Sequence, residues 1–390
     1  MASIDKRGGK YRVRFRTPDG AQRNRTFERM VDAKTFAASH EADKARGLFV
    51  DPSAGREKFR DYAERWRLAQ LHRPGTASQV ETNLRRHVYP RIGDRPLAAI
   101  RQREIQEMVK AMSAGTTLAN GDVREPLAPA TVELIYMWVA IIFTAALADR
   151  AIGVSPCVKI SRPSVDDKKV VPIEVEVVRE LEAGIAPTFR ALVPLGAGTG
   201  VRISEALGLT VDRIDWRNRL MVIDRQLIDV RDERPVFGPV KDRNNRPRTI
   251  PLPAVVVAAL QAHLREHGDG PDGRNGGVDG LVFTGNARGT SSGPVRRTTF
   301  SDAWRAAARP LGVPVGDGFH QLRHFYASLL IRHGESVKVV QARLGHRSAQ
   351  TTLDIYGHLW PDSDDTTRAA VDLVLSGDVS SMCPPLADAE

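Results

Sequence analysis

The sequence predicts a multidomain chain, mainly α-helical with small β-sheets. Three observations carry this. The first residues alternate apolar and basic positions ahead of a helical stretch, the middle repeats apolar residues at helical spacing, and the last half passes from helices through short strands back to helices. The expected divisions are a small β-sheet-plus-helix domain at 1–52, an all-helical domain at 56–158, a linker at 159–172, an α+β domain at 173–375 and a polar tail at 376–390.

In the first segment, Tyr11, Val13 and Phe15 alternate with Arg12, Arg14 and Arg16, the period of a half-buried strand. Pro18-Asp19-Gly20 is a turn, and Gln22 to Phe27 returns as a second strand. A helix is expected over 31–46. The strands then carry one basic face. A solvated sheet face fits that pattern; so does contact with DNA, because charges of one sign repel unless a partner neutralises them.

In the middle segment, Phe59, Tyr62, Ala63 and Trp66 fall on one helical stripe, as do Ile105, Met108, Val109 and Met112. Ser78 and Glu81 have the spacing of a capping box ahead of a further helix. The stretch 130–149 is apolar nearly all round, as the buried helix of a bundle would be. Arg85, Arg86, His87, Arg91 and Arg95 gather positive charge at an expected inter-helix turn. Pro163, Pro172 and the charged 166–169 run read as a linker.

Composition narrows the partners. The 390 residues carry a net charge of +10 and a pI near 9.8, a balance that favours a polyanion such as nucleic acid. Only Cys157 and Cys383 are present, so no disulfide framework is indicated and a reducing cytosol suits the chain. The start lacks a signal-peptide pattern, and the longest apolar run, Leu134 to Leu147, is too short to cross a bilayer.

The chemistry-bearing residues lie further on. Thr199 to Leu209 reads TGVRISEALGL: Gly196, Gly198 and Gly200 permit a tight turn, and Arg202 stands where a helix begins. An arginine there can grip two phosphate oxygens, with Glu205 one turn on to orient it; an ordinary Arg–Glu helix pair has the same spacing. No P-loop follows, since the required Lys-Ser/Thr is absent. In Pro239 to Pro253, two strands are expected to flank a turn at Asp242-Arg243-Asn244-Asn245, with Lys241 near the hairpin tip. A lysine on such a tip can protonate a leaving alkoxide, or simply decorate the surface.

Phe319 to Leu329 reads FHQLRHFYASL. His320 and Arg323 share a helix face. The His320/His324 spacing invites zinc, but the second position of the zincin pattern is Gln321 rather than Glu, and Arg323 would add positive charge beside the metal. Leu344-Gly345-His346 places His346 beyond a glycine C-cap. Tyr356 ends the run TLDIY, in a short helix. With an ordinary pKa of about 10 it is a poor nucleophile at neutral pH unless helped, and taken alone it is as readily a packing aromatic.

The ordered set changes that weighing. Arg202, Lys241, His320, Arg323, His346 and Tyr356, carried by TGVRISEALGL, FHQLRHFYAS, LGH and IYGH, resemble the tyrosine recombinase family, in particular the phage-type integrases. The resemblance spans the whole layout and implies an arm-site DNA-binding domain at 1–52, a core-site DNA-binding domain at 56–158 and a catalytic domain of tyrosine recombinase type at 173–375. It implies that those six residues are catalytic and that Glu205 supports them. Arg12, Arg14, Arg16, Arg85, Arg86, Arg243 and Arg246 are the expected DNA contacts. It implies cleavage through a 3′-phosphotyrosine, with His320 as base or orienter, without ATP, metal or other cofactor. The implied partners are double-stranded DNA attachment sites and three further copies of the chain, in a bacterial cytoplasm at the nucleoid. The likeness would add a DNA-bending host factor and an excisionase; no residue here points to either. The rivals are a transposon-type recombinase, a resolvase, a type IB topoisomerase and a non-catalytic DNA-binding relative.

Overall fold

A computed structural model describes residues 3–16, 22–45, 54–117, 121, 123–165, 169–229, 233–241, 246–268, 278–285, 293–314, 316, 318–360, 368, 371–372 and 375. Arg243, the turns at 18–20 and 242–245, and the 376–390 tail lie outside them. The chain divides into two compact units, Met1–Asp167 and Lys168–Glu390.

The first unit opens with a three-stranded antiparallel sheet, β1 (Ser3–Arg7), β2 (Lys10–Arg16) and β3 (Gln22–Phe27), followed by α1 (Met30–Ala45). Strand β1 went unread in the sequence. Val13 and Phe15 point inward and are buried with Ala33, so Arg12, Arg14 and Arg16 line the opposite face. That face is partly neutralised from within. Arg12 and Arg14 both reach Asp5, at 2.8 and 3.3 Å, and the bond from Arg12 holds the Asp5 carboxyl below its usual range.

The helical part comprises α2 (Phe59–Ala69), α3 (Pro74–Asn83), a π-helical turn at Leu84–Gly93, α4 (Gln102–Ala114) and α5 (Pro129–Ala148). A two-residue hairpin, β4 (Thr116–Thr117) with β5 (Val123–Arg124), interrupts it. Both expected stripes are buried, with Trp66 packed partly against the core. Three expectations need correction. Ser78 caps nothing: it lies inside α3, which starts at Pro74, a residue pre-set for a first helical turn. Its partner Glu81 instead holds Arg85 at 3.0 Å. Arg85 and Arg86 therefore sit at the start of the π-helical segment rather than at an inter-helix turn. Finally, α5 is not buried all round. Val132, Ile135, Val139, Ile142 and Phe143 fill the core, each fully buried, while Met137 and Ile141 are 39% exposed. By length and composition α5 could cross a membrane, longer than the sequence suggested, but its core face packs against α2, α3 and α4.

The second unit begins with α6 (Val175–Gly184), α7 (Leu192–Thr199) and the short α8 (Ile203–Leu207). Strands β6 (Ile214–Asp215), β7 (Leu220–Ile223) and β10 (Arg248–Pro251) form one sheet in the order β10-β7-β6, whereas β8 (Arg225–Ile228) pairs with β9 (Val236–Pro239). The strands flanking 242–245 thus belong to different sheets, and among the described residues they do not pair as the expected hairpin. Each finds its partner upstream: Ile250 opposes Met221, and both are fully buried. Then come α9 (Ala254–His267), the pair β11 (Thr284–Gly285) and β12 (Gly293–Pro294), and α10 (Arg297–Ala308), α11 (His320–Arg332), α12 (Val337–Leu344) and α13 (Ala349–Tyr356).

Of the three glycines ahead of Arg202, only Gly200 makes the turn, at φ +64°. Gly196 and Gly198 are helical and serve close packing. A Cβ on Gly196 would come within 2.6 Å of the Phe319 ring, and one on Gly198 within 2.5 Å of Val256. Helix α7 can therefore lie tight against the start of α11. A separate cluster of Tyr326, Ala327, Ile331, Val340, Leu344 and Tyr356 fixes α13 onto α11 and α12.

Candidate active site

Arg202 occupies the N-cap of α8, directly after the Gly200 turn. Its backbone N–H donates to Glu205 Oε2 at 2.9 Å and its Nη1 to Glu205 Oε1 at 3.0 Å. The Glu205 side chain is fully buried and also accepts from Arg248 Nη1 and Nη2, at 3.1 and 2.5 Å. Burial alone would raise the Glu205 pKa; the charge and hydrogen bonds of Arg248, then those of Arg202, override it and hold the carboxyl down at about 2. The carboxylate is therefore ionised and fixes both guanidiniums from one point.

Arg323 is 1% exposed. Its Nη1 donates to the Gly200 carbonyl and its Nη2 to the Leu344 carbonyl, both at 2.6 Å. Those acceptors end α7 and α12, so Arg323 ties the Arg202 turn to the Gly345 cap. Burial, followed by the charge of Arg202, lowers its pKa to about 9, which leaves it protonated at neutral pH. A guanidinium carries five N–H donors, so two bonds to carbonyls leave capacity for an anion.

Gly345 closes α12 with φ +64°, as its place in the sequence anticipated, and its N–H bonds to the Ala342 and Gln341 carbonyls. His346 follows. Its Nδ1 pairs with Thr352 Oγ1 at 3.0 Å, and its ring stacks on Tyr356 at 6.3 Å and 11°. Burial, then Arg323 and Arg202, pull its pKa down to about 3, so the imidazole is neutral. Tyr356 is the last residue of α13 and 1% exposed. Burial pushes its phenol up to about 12, against the opposing charges of Arg323 and Arg202.

Arg202, Lys241 and His320 line an open cavity of about 1040 Å³, which Arg297, Arg305 and Arg309 also border. Lys241 is exposed, just past β9. His320 starts α11; desolvation of its ring, then the charges of Arg323, His324, Arg202 and Lys241, keep its pKa below the usual imidazole range. Electrostatically, Arg202 acts on His320, Arg323, His346 and Tyr356. The structure thus draws all six sequence-chosen residues into one neighbourhood: three face the cavity, Arg323 and Tyr356 are buried, and His346 is half-buried against Tyr356. Arg246 is exposed ahead of β10, and Arg86 is exposed in the first unit.

Two residues of this neighbourhood had no place in the reaction expected from the sequence. One is Arg248, the second partner of Glu205. Its signal was the alternation of Arg248 with buried Ile250, which puts both on one strand face. The other is His324, whose Nδ1 lies 2.8 Å from the Tyr356 hydroxyl. Among the described residues no group of three or more His, Cys, Asp or Glu is placed to hold a metal.

Residues 177–362 match the phage integrase family. The chain is 27% identical over 250 residues to a XerC-like tyrosine recombinase of Caldanaerobacter subterraneus, covering 59% of this chain and 63% of the relative. It is thus matched to less than two thirds of that relative's length. A putative prophage phiRv2 integrase of Mycobacterium tuberculosis is 25% identical over 359 residues, 88% of each chain. Among solved structures, the Tn1549 transposon integrase in complex with a circular intermediate DNA superposes with a TM-score of 0.63 at 19% identity, over 80% of this chain and 98% of that one. From the Arg202 turn to the end of α13, this neighbourhood lies within the stretch of the chain that matches the phage integrase family.

Proposed function

We propose that this chain is a site-specific DNA recombinase, an integrase that cuts and rejoins DNA through a 3′-phosphotyrosine. One observation carries the reading: a tyrosine hydroxyl is held in the field of two guanidiniums, one of them buried and pinned between the turns on either side of it. Buried, pre-oriented charge is what a five-coordinate phosphate needs, because it stabilises developing negative charge without reorganising at the moment of reaction.

Tyr356 Oη attacks the scissile phosphorus and forms the O–P bond. The bond to the 5′-oxygen breaks, and Lys241, exposed at the cavity, protonates that oxygen. Arg202 and Arg323 take the non-bridging oxygens, and His346 donates a further hydrogen bond. Glu205, fixed between Arg202 and Arg248, keeps the first guanidinium in place. A partner strand's 5′-hydroxyl then attacks the phosphotyrosine. The phosphodiester energy stays in the covalent link, so the reaction balances without ATP. Two duplexes exchanging two strands each require four tyrosines, hence a tetramer on DNA. The arm-type N-terminal sheet supports a second DNA contact at flanking repeats. Likeness to a prophage integrase over most of both chains supports integration of a phage or other mobile element.

The test is a duplex taken from DNA flanking the gene and nicked near the crossover, so that cleavage cannot reverse. The expected result is a covalent protein–DNA adduct with the wild type and none with Tyr356→Phe. Adduct formation with relaxation but no strand exchange would assign the chain to topoisomerase chemistry instead.

A further inference from the structure

The proton on Tyr356 has to go somewhere. With its phenol pushed up to about 12 the residue is a neutral hydroxyl at pH 7, and attack on phosphorus must release that proton. The histidine chosen from the sequence, His320, is a weak candidate to receive it, because it faces the cavity beside Arg202 and Lys241. The His346 ring runs parallel to the tyrosine ring, and its Nδ1 pairs with Thr352 Oγ1. The Tyr356 hydroxyl is instead within 2.8 Å of His324 Nδ1, inside the ~2.6–3.2 Å reach required of a general base. The His324 ring stands at 64° to the phenol ring, with centroids 5.6 Å apart, so the two meet edge on. His320 packs perpendicular against its other side, centroids 4.8 Å apart. Since His324 follows Arg323 on α11, the anchored guanidinium and the imidazole are held by one rigid element.

We propose that His324 is the proton acceptor and donor for Tyr356, a catalytic residue beyond the six named above. The proposal rests on Tyr356 being the nucleophile. In cleavage, the phenolic proton passes to His324 Nδ1 as the Oη–P bond forms, while the 5′-oxygen leaves with a proton from Lys241. In rejoining, the incoming 5′-hydroxyl gives its proton to Lys241, the P–Oη bond breaks, and His324 returns its proton to the phenolate. His320 is left to orient the His324 ring and face the cavity.

The experiment varies the leaving group. In a Tyr356→Phe background the active site rejoins a free 5′-hydroxyl strand to a 3′ end that carries either p-nitrophenyl phosphate or p-cresyl phosphate. Nitrophenolate departs without a proton; cresolate, which mimics tyrosine, needs one. Adding His324→Asn, which keeps a polar atom near the Nδ1 position but carries no titratable proton, is expected to slow joining of the cresyl end by on the order of 10²-fold, far more than the nitrophenyl end. Equal slowing of both ends would make His324 structural, and no slowing of either would remove it from the reaction; both overturn the proposal. Joining of the nitrophenyl end also reports that the variant is folded. If the wild type forms no adduct on nicked DNA, the functional reading itself fails, a result distinct from either of these.

Discussion

The first and second units treat positive charge in opposite ways. On β2, Arg14 and Arg16 stand exposed on a sheet face, and Arg12 and Arg14 are partly balanced by Asp5. In the second unit Arg323 is 1% exposed and bonded to two backbone carbonyls, while Arg202 and Arg248 share the fully buried Glu205. A surface cation is cheap to keep and its field is screened by salt. A buried one has lost its water during folding, so its field is strong and its direction fixed. Surface arginines can gather a polyanion; buried ones can hold a single phosphate in a set geometry.

That contrast can be broken by experiment. The largest effect is expected at Arg323. Arg323→Ala should slow adduct formation by about 10²–10³-fold and, by orphaning the Gly200 and Leu344 carbonyls, cost about 1–3 kcal/mol at each; cleavage kinetics and denaturant titration read the two separately. Next is Glu205→Gln, which leaves Arg202 and Arg248 beside a neutral amide. Losing one partner of a buried ion set costs about 3–5 kcal/mol, measured as a fall in the midpoint of chemical denaturation. Asp302, exposed on α10 and paired with Arg305, gives the comparison.

A smaller, graded effect comes from pH. His346 stays neutral in the fold down to about 3 and His263, buried against the Val282 carbonyl, down to about 4. The unfolded chain takes up those protons near its ordinary value of about 6.5, so it binds more protons than the native state below that pH. Stability is therefore expected to fall as pH drops from about 6.5 towards 4, on the order of 1 kcal/mol per unit for each histidine. It should fall further between about 4.3 and 2 as Glu205 loses its ionised advantage. Melting temperature against pH checks this, and a flat profile above pH 4 would contradict the buried neutral imidazoles. The smallest effect is at the sheet face. Arg12→Ala should leave the melting temperature unchanged and lower the salt dependence of DNA binding by about one unit of slope.

Much of this was legible because local chemistry decided it. The Gly345 cap, Arg202 at a helix start and Tyr356 at a helix end each depend on a few adjacent residues. What escaped was set by long-range packing. Arg248 meets Glu205 43 positions away, and His324 meets Tyr356 across 32. Strand pairing failed for the same reason: turn residues at 242–245 suggested a hairpin, but the burial of Ile250 against Met221 chose a different partner. Ser78 and Glu81 had capping spacing, yet Pro74 starts the helix earlier.

The most direct measurement is peptide mapping of the adduct trapped on nicked DNA. The nucleotide is expected on the peptide that contains Tyr356, joined through its phenolic oxygen to a 3′-phosphate. An adduct on any other side chain, or one joined to a 5′-phosphate, would contradict it.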